Sequence, residues 1–367
     1  MAVSERLTQL LGVGLIALAI VTNESWLDRH ILPSFYLMRT WYVALESAVR
    51  LSMFLAGATL IVFARPRLGR ASQRHPGSVV RVVGAAVLAI VAGALVLRWA
   101  HPSSEWLLSG VEPRRQPDAR LGWTFVPNRA SQRTVAGRTI TYAFDSLGAR
   151  VRSIDEPVDP DRPTMIFIGE SVMFGEGLLW EETIPARVGA AAGAQTANLA
   201  VHGYASDQAY LRLEQEWPRF RQPIAVVSLF MTALLGRNLD ENRPHLGPGL
   251  VWMAPIDRGR LVSLAELIVP FRRTSTVERG IAVTQEVLRA TVALARARGA
   301  TPVIVVPQLN REDDGERTLR RRILDEGGVP YVFVELDEGW RLPGELHPNA
   351  RAADAIASAV TSRLRGQ

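Results

Sequence analysis

Two side chains in this 367-residue chain have the types and settings that nucleophilic catalysis requires: Ser171 and His347. Ser171 stands two residues after Gly169, where an apolar, β-branched run from Met165 to Ile168 stops, and glycines follow at 175 and 177. That pattern predicts a strand delivering a hydroxyl onto a tight turn. A serine is a poor nucleophile unless its oxygen is exposed beside a base and faces backbone N–H donors, and a strand end in an open α/β sheet supplies that setting. His347 lies in ELHPNARAADAIA, just before a helical pattern, where a loop histidine suits a general base. Of the other five histidines, His30, His75 and His101 fall in or beside an apolar N-terminal region, His245 falls in a Pro/Gly-rich loop, and His202 reads as a rim residue. A histidine in that role needs a carboxylate to fix its tautomer. In NLAVHGYASDQ, Gly203 follows a strand pattern, so backbone there can approach a ligand and aim its N–H at a developing oxyanion.

Composition removes several alternatives. Cysteine is absent, which excludes disulfides, thiolate zinc sites and cysteine nucleophiles. All 42 basic residues are arginine, so Schiff-base chemistry and a P-loop lysine are excluded as well. The net charge of +6 would suit a nucleic-acid partner, yet Arg65, Arg67, Arg70, Arg74 and Arg81 crowd into one acid-free segment that has a membrane explanation, so no nucleic-acid partner is expected.

The elements that must position the serine and histidine alternate in type. Strand patterns at Thr196 to Val201, Ile224 to Phe230, Pro302 to Val306 and Tyr331 to Val334 follow the serine strand, interleaved with helical patterns at Glu181 to Gly193, Ser206 to Trp217, Val277 to Arg298, Glu316 to Glu326 and Ala350 to Leu364. Such alternation indicates a parallel sheet with helices on both faces. An inserted hairpin is expected over Trp252 to Val262, with Asp257, Arg258 and Gly259 at its centre. Ahead of the serine strand, Thr139 to Phe144 alternates like a strand and Asp145 to Gly148 reads as its turn.

The first hundred residues carry apolar runs at 10 to 21, 51 to 64 and 82 to 97, which extend to about 7 to 26, 41 to 64 and 78 to 100, near the ~20 residues of a spanning helix. Three spans are expected, with Glu46 and Arg50 paired at i, i+4 inside the second. No small-x-small cleavage site follows Val21, which disfavours a cleaved leader. The arginine-rich segment 65 to 81, expected as a loop, sets the topology by the positive-inside rule: that loop and the N-terminus inside, everything after residue 100 outside. Trp26, Trp41, Tyr42 and Trp99 then fall at the outer boundary, where aromatic rings prefer to sit. The division expected is 1–100 membrane anchor, 101–163 β-rich preamble and linker, and 164–367 the α/β domain that carries Ser171 and His347.

The stretch Gly169-Glu170-Ser171 with Gly175 resembles block I of the SGNH (GDSL-like) hydrolases, G-D-S-x-x-x-G, with Glu170 in place of aspartate. Gly203, Tyr204, Asp207 and Gln208 resemble the Gly-Tyr-x-x-Asp-Gln of a membrane-anchored bacterial subgroup at block II. The segments DARLGWTFVPN and DSLGAR resemble that subgroup's preamble, and Gly344, Glu345, His347, Pro348 and Asn349 resemble its block V, Asp-Gly-His-Pro-Asn. Block III departs: counting back from Arg237 and Asn238, the oxyanion-hole asparagine falls on Ala233 and its aspartate neighbour on Leu234, with Thr232 or Asn238 as possible substitutes. The resemblance implies a flavodoxin-like doubly wound parallel sheet and a serine esterase or deacetylase using no metal or cofactor. Ser171 would be the nucleophile, His347 the base and Glu345, with Asp337 in reserve, its orienter, and backbone N–H groups of Ser171 and Gly203 would bind the oxyanion. It further implies an inner-membrane location with the catalytic domain on the periplasmic side, and an acyl-ester substrate such as an O-acetylated envelope glycan. Two alternatives share the resemblance: an O-acyltransferase served by a membrane acyltransferase partner, and a glycan-binding module weakened by the loss at Ala233.

Overall fold

The computed structural model describes residues 3–23, 25–27, 39–74, 112–232, 234–256 and 272–366, with scattered positions between 77 and 96. Two compact units result: 1–103 with 258–277, and 104–257 with 278–367.

In the first unit, α1 (Val3–Val21) packs against α2 (Arg39–Thr59), which continues through a π-helical turn (Leu60–Ala64) into α3 (Arg65–Arg74). The helices approach closely where both lack a side chain: a Cβ on Gly57 would come within 2.6 Å of the Gly12 carbonyl oxygen. The pairing expected inside the second apolar stretch is present, since Arg50 Nη1 lies 2.7 Å from Glu46 Oε1 and Arg50 Nε donates to the Ala19 carbonyl. Among the described residues one helix, Tyr42–Arg70 with 29 residues, is long and apolar enough to cross a membrane. Of the third expected span, 78 to 100, only scattered positions are described, and Trp99 lies outside them. The arginine segment is not the loop expected: residues 65–74 continue the helix. Pro66 lacks an N–H, and the π turn one residue before α3 absorbs the interruption that would otherwise end a helix there.

The second unit is organised by β6 (Thr164–Ile168), every residue of which is buried. On one side it pairs parallel with β7 (Gln195–Asn198) and on the other with β8 (Pro223–Leu229), after which β11 (Thr301–Gln308) and β12 (Tyr331–Glu335) extend the sheet in parallel. Numbered as five parallel strands in chain order, the arrangement is 2-1-3-4-5, the flavodoxin-like doubly wound order, so the expected α/β architecture is observed. Helices α5 (Ile184–Ala192) and α10 (Ala350–Arg365) pack together on one face. Leu213 and Trp217 of α6 (Ser206–Glu216) and its following turn, with Ala295 of α8 (Thr274–Ala297), cover Ile166, Ile168, Leu199 and Val226 on the other. Near-continuous apolar strands are what a sheet covered on both faces requires.

The segment before β6 joins the same sheet. Strands β3 (Arg129–Val135), β4 (Arg138–Phe144) and β5 (Arg150–Val151) continue it antiparallel beyond β7, through a single rung, Arg150 opposite Asn198. A separate hairpin, β1 (Arg115–Asp118) with β2 (Gly122–Phe125), precedes them. A short hairpin is present just before that expected over Trp252 to Val262: β9 (His245–Leu246) pairs with β10 (Trp252–Met253), with its turn at 247–251, whereas the expected centre at 257–259 lies outside the described residues. Gly247 and Gly249, the latter in the left-handed region at φ +70°, provide the turn.

Candidate active site

At the end of β6, Gly169 takes φ +147°, and a Cβ there would press on Met173 Cβ at 3.2 Å and Leu229 Cβ at 3.3 Å. The chain then turns into a one-turn helix, α4 (Ser171–Phe174), capped by Glu170, whose carboxylate accepts from the Val172 N–H. The loop behind the serine is fixed from beneath. The buried Arg150 guanidinium donates to the carbonyls of Phe174 (2.8 Å), Gly175 (2.7 Å) and Leu178 (2.6 Å), and the Asn198 amide, its partner across the rung, donates to Met173 and Phe174 carbonyls. Arg150 lies over the rings of Tyr142 and Phe174 at 4.7 and 4.9 Å, and burial pushes its guanidinium down to about 10, still charged at neutral pH. The Gly177 N–H donates to Tyr142 Oη, whose own ionisation burial pushes up to about 12.

The histidine arrives on a loop that closes with a bridge between Arg341 and Pro348, and Asn349 caps α10. His347 Nε2 lies 3.0 Å from Ser171 Oγ. Ser171 Oγ also donates to Glu170 Oε2 at 2.5 Å. Glu170 Oε2 is 3.5 Å from Arg237 Nη1, which also donates to the Tyr204 carbonyl at 3.1 Å. The hydroxyl has one proton and two candidate acceptors, and here it points to the carboxylate. His347 Nδ1 is buried and makes no hydrogen bond; Glu345 Oε2 stands 3.8 Å away, within ion-pair range but beyond hydrogen-bonding distance. Asp337, the reserve acid, is occupied in its own turn, accepting from the Gly339 N–H.

Gly203 sits at φ +84°, with Trp123 Cζ2 3.3 Å from where a Cβ would be, and its carbonyl accepts from Arg243 Nη1. The Ser171 N–H belongs to the first turn of α4, where backbone donors have no partner within the helix. Both sit at the carboxyl ends of their strands. The asparagine-equivalent Ala233 lies outside the described residues. Leu234 begins α7 (Leu234–Asn238) and is buried, and Thr232 is buried beside it. Asn238 does not serve as an oxyanion donor: its amide donates to Thr284 Oγ1 at 2.8 Å and its carbonyl oxygen accepts from the Ser206 N–H at 3.0 Å, which occupies both ends in holding α6.

A second charged group stands beside the pair. The buried carboxylate of Glu176 accepts from Arg133 Nη1 at 2.7 Å through one oxygen and faces His202 Nδ1 at 3.3 Å through the other. The His202 and His347 rings are 5.9 Å apart, centroid to centroid. Burial pushes the Glu176 carboxyl up, but His202, Arg133 and His347 together outweigh it and hold the group below its ordinary value. Glu176 is not singled out by the sequence; the available signal is an acid set between Gly175 and Gly177 directly after the serine's turn. Among the described residues no cluster of three or more His, Asp and Glu side chains could hold a metal ion.

The remaining block II residues are structural. Asp207 accepts from the Leu246 N–H, Gln208 Nε2 donates to the Leu121 carbonyl, and Tyr204 Oη donates to the Trp123 carbonyl. A cleft lined by Arg152, Trp180, Arg187 and Thr196 opens near the start of β7, and none of the site residues lines it.

The fold and site define a doubly wound α/β protein with a serine at the end of its first parallel strand and a histidine in contact with it. No protein-family model and no curated protein matches the chain. Solved structures do. The chain is similar to a lipolytic protein of the G-D-S-L family from Desulfitobacterium hafniense (15% identity over 55% of this chain and 99% of that one, TM-score 0.36). It is also similar to the psychrotrophic esterase EstA from Pseudoalteromonas (14% identity, 56% and 97% covered, TM-score 0.34). A third similar structure is an acetyl xylan esterase from Butyrivibrio proteoclasticus (13% identity, 57% and 66% covered, TM-score 0.35).

Proposed function

We propose that the chain is a serine ester hydrolase of the SGNH type. The observation that carries the reading is the 3.0 Å contact between His347 Nε2 and Ser171 Oγ at the end of β6. In the reacting state the hydroxyl proton turns from Glu170 to His347 Nε2, and Oγ attacks the ester carbonyl carbon. The N–H groups of Ser171 and Gly203 receive the oxyanion. Collapse expels the alcohol, which takes the proton from His347. Water then attacks the acyl-serine, giving one proton to His347 as it does so, and Ser171 Oγ leaves and recovers that proton. As His347 takes the proton its Nδ1–H needs an acceptor, and Glu345, half exposed, is the group in range. Labelling of Ser171 by a serine-directed phosphonate, absent in His347→Ala, tests the reading; an unlabelled native chain refutes it.

The substrate class we infer is an O-acetylated envelope glycan, met on the periplasmic side of an inner-membrane anchor of about three helices. The apolar helix Tyr42–Arg70 supports the anchor. A reporter that works only outside the cytoplasm should be active when fused after residue 105 and silent at 72, and activity at 72 would reverse the orientation.

A weakened glycan-binding module is the second reading, favoured by the unpartnered Nδ1 of His347 and by alanine at 233. If the chain is a hampered enzyme, Ala233→Asn should raise kcat by up to ~100-fold, with little effect on KM, because the added bond forms chiefly in the transition state. Glycan binding with no turnover in either form would favour the module.

A further inference from the structure

Beside the Ser171–His347 pair the polar groups are stacked with the negative charge below and the positive charges above. The Glu176 side chain is 5% exposed, whereas Arg133 and His202, which bind its two oxygens, are 37% and 35% exposed. Solvent, and any ligand there, meets guanidinium and imidazole before it meets carboxylate. A second guanidinium belongs to the same group. Arg115 is half-buried, has no carboxylate within ion-pair distance among the described residues, and is acted on by the charges of both Glu176 and Arg133. Burial and the neighbouring Arg133 both work against its charge, and Glu176 alone favours it.

Its place is fixed. Arg115 stands directly opposite Phe125 in the β1–β2 hairpin, so the two side chains share a face, and the Phe125 ring stacks at 4.8 Å on Phe174 of the nucleophile's helix. Two guanidiniums (+2) share one carboxylate (−1), leaving one positive charge with His202 neutral and two with it protonated. A desolvated arginine with half a counter-ion is costly unless something else completes it.

We propose that Arg115, Arg133 and His202 form an anion-recognition rim next to Ser171, and that the ester is carried on a carboxylate-bearing glycan such as a uronic-acid chain. This rests on the esterase reading and specifies its substrate. The arginine fork matches a planar carboxylate with two parallel hydrogen bonds, and the buried Glu176 holds Arg133 and His202 in place on its solvent side.

The test uses the full chain in detergent and two substrates: an O-acetylated uronate oligosaccharide, and the same oligosaccharide with its carboxyls reduced to alcohols. For the native chain we expect kcat/KM to favour the uronate by about tenfold or more at low salt, the preference shrinking as salt screens the rim. Arg115→Gln should bring the ratio of the two close to one, and Arg115→Lys, which keeps the charge and loses the fork, should retain only part of it. A native ratio near one, or a ratio untouched by Arg115→Gln, overturns the proposal while leaving the esterase reading standing. If neither substrate is hydrolysed, that reading fails, and calorimetric binding to Ser171→Ala decides the rim. Tighter binding of the uronate, lost in Arg115→Gln, supports it, and equal binding of both oligosaccharides refutes it.

Discussion

The two halves of the candidate site are built to different standards. The nucleophile loop, 173–178, hangs from five hydrogen bonds donated by Arg150 and Asn198, both nearly inaccessible to solvent, and from Tyr142 Oη. The histidine loop, 337–349, is held by its own backbone turns, with Leu346 81% exposed, Glu345 half exposed, and Arg341 reaching only the Leu346 carbonyl and Asn310. Ser171 is therefore held firmly in place, whereas on the proposed reading His347 and Glu345 complete their hydrogen bond only when Glu345 closes about 1 Å on Nδ1, from 3.8 Å to the usual bonding range. Preorganisation at the attacking atom with slack at the proton acceptor places the adjustable step in the histidine loop.

The largest effects should come from the contact that joins the halves. Ser171→Ala and His347→Ala should each reduce ester hydrolysis by roughly a thousandfold or more and by similar factors, and the double variant should be little worse, because the two act as one unit. A harmless His347→Ala with a damaging His202→Ala would move the base to the other ring.

Next in size is the contrast in anchoring. Arg150→Met removes three hydrogen bonds, of which the one to Leu178 leaves a carbonyl without another donor, while Phe174 keeps Asn198 and Gly175 keeps the Leu178 N–H; with the burial of a charge relieved, a net loss of about 2 kcal/mol is expected, or roughly 4–8 °C in melting temperature. Arg351→Met, which removes only an exposed guanidinium stacked 4.5 Å over Trp340 near the histidine, should cost less than about 1 kcal/mol. Equal losses in thermal denaturation would erase the contrast.

Smaller again is Glu345→Gln, for which a kcat loss of about tenfold is expected from a carboxylate not yet hydrogen-bonded in the resting state. A loss as large as that of His347→Ala would show that the acid is fully engaged during turnover.

The smallest effect concerns Glu176, whose lowered carboxyl links stability to pH. A group with a depressed folded value contributes stability above its ordinary value of 4.5 and loses it as pH falls through the depressed one. The melting difference between the native chain and Glu176→Gln should accordingly be greatest near neutrality and shrink under acid. A difference that grew on acidification would mean that Glu176 is protonated in the folded state.

What could be read from sequence was what local pattern encodes. The serine strand, the order of strands and helices, the turn at Asp145 to Gly148, and the contact partners Ser171 and His347 all sit in segments whose apolar periodicity or punctuation is self-contained. What escaped depends on groups that meet only after folding. Arg133 reaches Glu176 across 43 residues, and Arg150 meets its carbonyl partners because β5 joins β7, not because of anything adjacent in the chain. Asn238 looked available for the oxyanion only because its two partners, Ser206 and Thr284, are 32 and 46 residues away. The reversal at Gly247-Pro248-Gly249, between strands of only two residues each, had too short a flanking pattern to be read as a hairpin.

The lone rung between β5 and β7 also governs what the sheet shows to its neighbours. Without β3 to β5, the outer side of β7 would present unpaired amides and carbonyls to any other chain with a free strand. With them, the outermost strand is β3, whose sequence RASQRTV sets two arginines and a glutamine along the boundary and deters such docking. A chain begun at residue 164 would keep Ser171 and His347 in its sequence and still lose this guard along with Arg150, so it should be recovered as aggregate rather than as a smaller enzyme.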